Sequence, residues 1–225
     1  MKFYFPTDFM LTTAKGYLEY EFGQRTLLTA PTRAGKTTAG TYFLARKKAE
    51  EPDALCVIFG PNMMNFVSDL KEKFEYFDHL QELDVNAVSY NSAERETFMA
   101  ELGGISDQLN VLCVNSDHQY VTKIIPYIRA IKNRKIYVVI DEAHKEGDKT
   151  YNRLLNELQT DNIVLIETTA TFRTRLLTSP PAKFISTLVP RFGYTKPTSA
   201  ELVPFTHNDW VYKNRLLHEN QLDLI

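Results

Sequence analysis

The chain has 225 residues, 44% of them hydrophobic, and a formal net charge of −2. This length suits one large domain with an appendage, and the near-neutral charge excludes a globally basic nucleic-acid-binding protein, so such binding would need a local basic surface. No apolar run approaches the roughly 18 residues that cross a bilayer, and Pro6 and Asp8 interrupt the apolar core that a signal peptide needs. We therefore expect a cytoplasmic protein with no membrane partner.

Strand-like apolar runs alternate with helix-like stretches through most of the chain. The strands are predicted at 25–30, 54–60, 85–91, 109–116, 135–142 and 162–171, with helical patterns between them. Because these runs are apolar throughout and do not alternate, they suit a parallel sheet covered on both faces. The repeated strand–helix units predict a doubly wound α/β domain.

The organisation changes near residue 178. Five prolines follow within a short stretch, from Pro180 to Pro204, which favours irregular or extended chain. We therefore predict an N-terminal extension over 1–24, an ATP-binding domain over 25–177, and a proline-rich linker with a terminal helix over 178–225. This last segment would lead toward a second domain that the chain does not contain.

A phosphate-binding loop is predicted between the first strand and the first helix. Gly35, Lys36 and Thr37 fit the end of the pattern Gly-x-x-x-x-Gly-Lys-Ser/Thr, with Ala30 at its first position. Backbone N–H groups at a helix N-terminus can surround a phosphate, Lys36 can reach the β- and γ-phosphates, and the Thr37 hydroxyl can ligate magnesium. The alternative is a strand–turn–helix corner with a solvated lysine. The predicted nucleotide-binding residues are Ala30, Pro31, Thr32, Arg33, Ala34, Gly35, Lys36, Thr37 and Thr38.

An acidic pair supplies the other half of such a site. Asp141 and Glu142 end the strand "IYVVI", at the carboxyl edge of the predicted sheet where these folds bind ligands. Asp141 can hold magnesium, and Glu142 can orient and deprotonate the attacking water. The alternative is that acids simply favour a helix N-terminus, but this leaves Lys36 and Thr37 unexplained. The two motifs together predict hydrolysis of Mg-ATP, with Lys36 and Glu142 as catalytic residues.

Three motifs in this order resemble those of superfamily 2 helicases. "APTRAGKT" (30–37) is similar to their phosphate loop, "DEAH" (141–144) to their DEAH/DEAD box, and "TAT" (169–171) to the motif that follows the box. The resemblance covers roughly residues 25–175. It implies a RecA-like P-loop NTPase domain, with a mainly parallel sheet flanked by helices, that serves as the first motor domain of a helicase.

The same resemblance implies nucleic acid as a partner, with DNA slightly favoured over RNA. His144, Thr169 and Thr171 would couple hydrolysis to movement, although as isolated residues the two threonines fit ordinary strand ends. Asn62 follows the second predicted strand, and Asn115 and Ser116 end the fourth, where they could contact phosphates. Helix capping is the equal alternative for this region of the chain.

Two departures from the family pattern limit the prediction. The chain lacks a motif for the arginines that a second RecA-like domain supplies, and a missing arginine of this kind costs about 10³–10⁵ in rate. We therefore expect a weakly active chain that needs such a domain in cis or in trans. Arg33 stands where the family has a small residue, which leaves a terminase-like DNA-packaging ATPase as one alternative. A non-catalytic, helicase-like binding or regulatory module is another.

Overall fold

The described part of the chain forms one sheet with helices on both of its faces. The computed structural model describes residues 25–29, 36–61, 66–81, 84–115, 118–143, 157–169, 183–187 and 200–204. The helices are α1 (Lys36–Glu50), α2 (Phe66–Gln81), α3 (Arg95–Gly103) and α4 (His118–Ala130). The strands are β1 (Arg25–Thr29), β2 (Leu55–Gly60), β3 (Asn86–Ser89), β4 (Asn110–Asn115), β5 (Ile136–Ile140), β6 (Ile163–Thr169), β7 (Lys183–Thr187) and β8 (Ala200–Pro204).

The eight strands lie in the order β3-β4-β2-β5-β6-β1-β7-β8. Every neighbouring pair is parallel except β7 and β8, which pair antiparallel. Helices connect β1 to β2, β2 to β3, β3 to β4 and β4 to β5 along the chain, as parallel crossover connections require. The predicted α/β fold with a mainly parallel sheet is confirmed.

The apolar strands are buried on both faces because each face packs against its own pair of helices. In β2, Leu55, Val57 and Phe59 join the core shared with α3 and α4, whereas Cys56 and Ile58 join the core shared with α1 and α2. All six β2 residues are buried. The continuous apolar pattern of the sequence therefore follows from period-two alternation inside a two-sided core.

Helix α1 approaches the sheet closely at Gly40. A Cβ atom at this position would lie 2.9 Å from Cγ1 of Val139 in β5, a distance too short for two carbon atoms without a shift. The glycine thus allows the first turns of α1 to pack directly over β5. This packing brings the N-terminus of α1 toward the end of β5, where the acidic pair begins.

The sheet continues beyond residue 177, the predicted end of the domain. Strand β7 pairs with β1, with Leu28 opposite Ile185, and β8 pairs with β7, so these two segments belong to the sheet rather than to irregular chain outside it. The linker role and the terminal helix of 178–225, like the extension over 1–24, lie outside the described residues and stay predictions. Among the described helices, none has the length and apolarity of a membrane span.

Candidate nucleotide-binding site

The predicted chemistry converges at the carboxyl ends of three neighbouring strands. Strands β5, β6 and β1 are adjacent in the sheet, and Glu167 of β6 lies opposite both Ile140 and Leu27. Asp141 follows β5 directly, and its N–H donates to the carbonyl of Phe59, 2.8 Å away. The acidic pair is therefore anchored to the sheet edge by one further backbone hydrogen bond.

Asp141 is the centre of this site because two hydroxyls bind its two carboxylate oxygens. Thr37 Oγ1 donates to Oδ2 at 2.8 Å, and Thr168 Oγ1 donates to Oδ1 at 2.5 Å. Asp141 is buried, so hydrogen bonds to its charged form are needed to offset the loss of hydration. The structure thus brings together the two residues that the sequence predicted as magnesium ligands, Thr37 and Asp141.

Lys36 is held beside the acidic pair with little access to water. Only 5% of the residue is exposed, and burial lowers the pKa of its amine, while the charges of Glu142 and Asp141 oppose that shift. Desolvation is the larger of these effects. An anionic ligand at this end of α1 would add attraction for the protonated form and raise the pKa again.

Glu142 has an unusual backbone conformation. Its φ is 52°, the sole positive value for a non-glycine residue in the part of the chain that the structure describes. The left-handed region is costly for a side chain with a Cβ, and such strain collects at functional sites. Glu142 is partly buried, and Ala143 behind it is fully buried in the core, which fixes the backbone after Asp141.

The other predicted site residues divide into two groups. Thr38 is buried in α1, Thr169 is buried at the end of β6, and Asn115 ends β4, which β2 separates from β5. Asn115 therefore lies on the same sheet edge but two strands away from Asp141. The remainder lie outside the described residues: Ala30, Pro31, Thr32, Arg33, Ala34, Gly35, Asn62, Ser116, His144 and Thr171.

Sequence reasoning missed Thr168. The motif "TAT" drew attention to Thr169 and Thr171, but the side chain that reaches Asp141 is the one before the motif. Strand alternation is the signal that could have found it. Since Glu167 pairs with Ile140, Thr168 and Asp141 are the next residues of the two strands and point to the same face.

A second missed feature is the buried ion pair between β1 and β6. Arg25 Nε lies 2.7 Å from Glu167 Oε2. Burial raises the pKa of the Glu167 carboxyl, and Arg25 opposes this shift. The pair lies on the strands that carry Thr168 and lead into the phosphate loop, and it adds a cross-strand contact between them.

Comparisons with known proteins identify a family and a fold. The family "Type III restriction enzyme, res subunit" (ResIII) matches residues 12–174, which is most of the chain. No curated protein matches.

Among solved structures, the chain is similar to the crystal structure of the DUF1998 helicase MrfA bound to DNA and AMPPNP, with a TM-score of 0.50 and 16% identity. The match covers 74% of this chain and 24% of the MrfA chain. At this identity the likeness concerns the fold, which is the RecA-like α/β fold of a helicase domain.

Proposed function

Because the chain belongs to the ResIII family and has the RecA-like fold of superfamily 2 helicases, we propose that it is an ATP-hydrolysing motor domain. It binds Mg-ATP at the carboxyl edge of β1, β5 and β6, and it couples hydrolysis to DNA or RNA. The observation that carries the proposal is that two motifs far apart in the sequence meet at one place. Lys36 and Thr37 come from the first motif and Asp141 from the second, and the Thr37 hydroxyl lies 2.8 Å from the Asp141 carboxylate.

The residues present fit a magnesium ion. Thr37 and Asp141 offer a hydroxyl and a carboxylate oxygen, and Mg²⁺ prefers such hard oxygen ligands and takes one or two carboxylates together with substrate phosphates. When bound, the ion neutralises charge on the β- and γ-phosphates. Thr37 and Asp141 would hold it, since Thr37 Oγ1 and Asp141 Oδ2 already lie 2.8 Å apart.

Lys36 would bind the phosphates. Its burial makes the protonated amine expensive in the free protein, so an added triphosphate is a strongly favoured partner in a poorly hydrated site. As a point charge on a flexible stem, a lysine amine can follow the phosphoryl group during transfer. Lys36 therefore stabilises charge on the transferring group.

Glu142 would orient the attacking water and accept its proton. The residue directly follows Asp141, the proposed metal ligand, and its φ of 52° departs from the extended backbone of β5, as residues at functional sites often do. A carboxylate within hydrogen-bonding reach of the water supplies about 10²–10⁴ in rate as a general base. In this proposal Asp141 and Glu142 have one role each, metal binding and proton transfer.

Nucleic acid and a second RecA-like domain complete the proposal. The MrfA structure contains DNA, which favours DNA as the partner, and His144, Thr169 and Thr171 are proposed to couple the two sites. The match spans a quarter of the MrfA chain, so activities of a whole helicase require further protein. In such an assembly, arginines from a second domain would complete the ATP site.

Steady-state ATP hydrolysis tests this function. We expect slow Mg-dependent turnover by the chain, with stimulation by single- or double-stranded DNA or RNA. Glu142→Gln should lower the rate by about 10²–10⁴ and keep nucleotide binding, whereas Glu72→Gln, at an exposed position of α2, should change neither. Hydrolysis that Glu142→Gln leaves intact would refute its role as base, and a chain that binds nucleotide without any turnover would favour the regulatory-module alternative.

A further inference from the structure

The Thr168 hydroxyl occupies one oxygen of the Asp141 carboxylate. It lies 2.5 Å from Oδ1, while Oδ2 accepts the hydrogen bond from Thr37. Both Thr168 and Asp141 are buried, with 0% and 2% of each residue exposed. Each carboxylate oxygen therefore has its own donor, one from β6 and one from α1.

The position of this hydroxyl is fixed by the sheet. Thr168 pairs with Leu28 of β1, and its neighbour Glu167 pairs with Ile140 of β5, so the backbone is held from both sides. Threonine is β-branched, and its χ1 torsion is restricted in a strand. In contrast, the final torsion of an aspartate is broad, so without a bound partner the plane of the carboxylate could turn and neither oxygen would be held toward Thr37.

We propose that Thr168 is a positioning residue for Asp141, which keeps Oδ1 occupied so that Oδ2 is the oxygen presented toward Thr37 and the metal. This proposal rests on the proposed function, because it assigns a role within the same Mg-nucleotide site. It differs from the roles of Thr169 and Thr171. Alternation along β6 puts Thr169 on the opposite face of the sheet from Thr168, and the hydroxyl that donates to Asp141 Oδ1 is that of Thr168.

The expected consequence is a change in magnesium affinity. Residues that hydrogen-bond a metal-binding carboxylate typically contribute 10–100-fold to metal affinity. Loss of the Thr168 hydroxyl should therefore weaken magnesium binding while the phosphate contacts of Lys36 are unchanged.

The test measures binding rather than turnover. A fluorescent ATP analogue is titrated with Mg²⁺ on the wild-type chain, Thr168→Val and Thr168→Ser, and the Mg²⁺ concentration for half-maximal enhancement of binding is compared. We expect Thr168→Val to raise this concentration about 10–100-fold and Thr168→Ser, which restores a hydroxyl, to return it near the wild-type value. Affinity for the analogue in excess chelator should be the same for all three.

Thr41→Val is the matched control. The Thr41 hydroxyl is also buried, but it donates to the backbone carbonyl of Thr37 at 2.6 Å and does not touch Asp141. We expect its magnesium requirement to equal that of the wild type. If Thr168→Val does not fold, Thr168→Ala serves as the second variant that lacks the hydroxyl.

A wild-type magnesium requirement in a folded variant without the Thr168 hydroxyl would overturn the positioning role and leave the proposed function standing. An equal weakening by Thr41→Val would overturn it as well, since any buried hydroxyl would then suffice. A wild-type chain whose nucleotide binding is independent of Mg²⁺ would instead contradict the proposed function itself.

Discussion

The two ends of helix α1 each carry a buried lysine, and the charged and polar groups around the two lysines differ. Lys36 begins the helix and Lys48 lies in its last turn, with 5% and 2% of each residue exposed. The two lysines are thus buried to nearly the same extent. They differ in the groups that surround their charges.

At the amino edge of the sheet, Lys48 has partners supplied by the fold itself. Its Nζ lies 2.6 Å from Glu101 Oε1 and donates to the Ala54 carbonyl at 2.9 Å. Asn110 Nδ2 donates to the other oxygen of Glu101 at 3.3 Å. These hydrogen bonds connect α1, α3 and β4. Lys48 and Glu101 also line an open surface depression of about 700 Å³.

At the carboxyl edge, burial of Lys36 outweighs the attraction of Asp141 and Glu142 and lowers the pKa of the amine. The Asp141 carboxylate there is occupied by the hydroxyls of Thr37 and Thr168. The comparison teaches that burial alone does not decide the role of a lysine. Lys48 belongs to a hydrogen-bonded ion pair within the fold, whereas the lowered pKa of Lys36 is a perturbation of the kind that collects at functional sites.

The largest expected effect on stability comes from breaking the amino-edge network. Lys48→Met leaves the Glu101 carboxylate buried without its cation, which should lower the free energy of unfolding by about 3–5 kcal/mol. Urea denaturation measures this as a shift of the midpoint. Nucleotide affinity of the folded variant should be unchanged.

Lys47→Met is the control for this change, because Lys47 is on the same turn but its ion pairs with Glu50 and Glu51 are exposed, and its other contact is with the ring of Tyr137. Such pairs are worth about 0–1 kcal/mol. Adding Glu101→Leu to Lys48→Met should recover most of the loss, since both charges are then removed. Equal destabilisation by Lys47→Met and Lys48→Met would contradict the role of the buried pair.

A smaller effect is expected from pH at the other end of the helix. The free protein releases the Lys36 proton below the ordinary lysine pKa of 10.5 because the amine is buried, whereas bound triphosphate favours the protonated form. ATP affinity should therefore be constant below the lowered pKa and fall above it, by at most about tenfold per pH unit for one proton. Binding in that range should also take up a proton.

Calorimetry at pH 7.5–10 in buffers of different ionisation enthalpy measures both quantities. Lys36→Arg, whose guanidinium stays protonated throughout, should lose this pH dependence in whatever binding it retains. An affinity that falls equally with pH for wild type and Lys36→Arg would show that another group is responsible.

The sequence was sufficient for the parts of the fold that local patterns encode. Continuous apolar strands predicted the parallel sheet, and a motif at the end of β5 placed Asp141 near Thr37 although the two are far apart along the chain. Strand β7 was missed because its five residues lie between prolines and include only two apolar residues, and its pairing with β1 could not be read from a local pattern.

Other features depend on tertiary register. The pairing of Lys48 with Glu101 arises where the last turn of α1 meets α3, and no periodicity encodes that meeting. Thr168 was missed for a related reason: alternation separates it from Thr169, but the register between β5 and β6 decides which of the two faces Asp141. The strained φ of Glu142 follows from the turn after β5 and has no composition signal, because glutamate seldom adopts it.

The central claim, that the carboxyl edge is a Mg-nucleotide site, is tested most directly by calorimetric titration of Mg-ATP into the wild-type chain and Lys36→Met. Removal of a buried charge that pairs with the ligand costs about 2–5 kcal/mol of binding free energy, so the affinity should fall at least about 30-fold, while the urea midpoint does not decrease. Lys48→Met, the same substitution at the other end of α1, should lower the urea midpoint and leave the Mg-ATP affinity unchanged. Unchanged Mg-ATP affinity in Lys36→Met would contradict the claim.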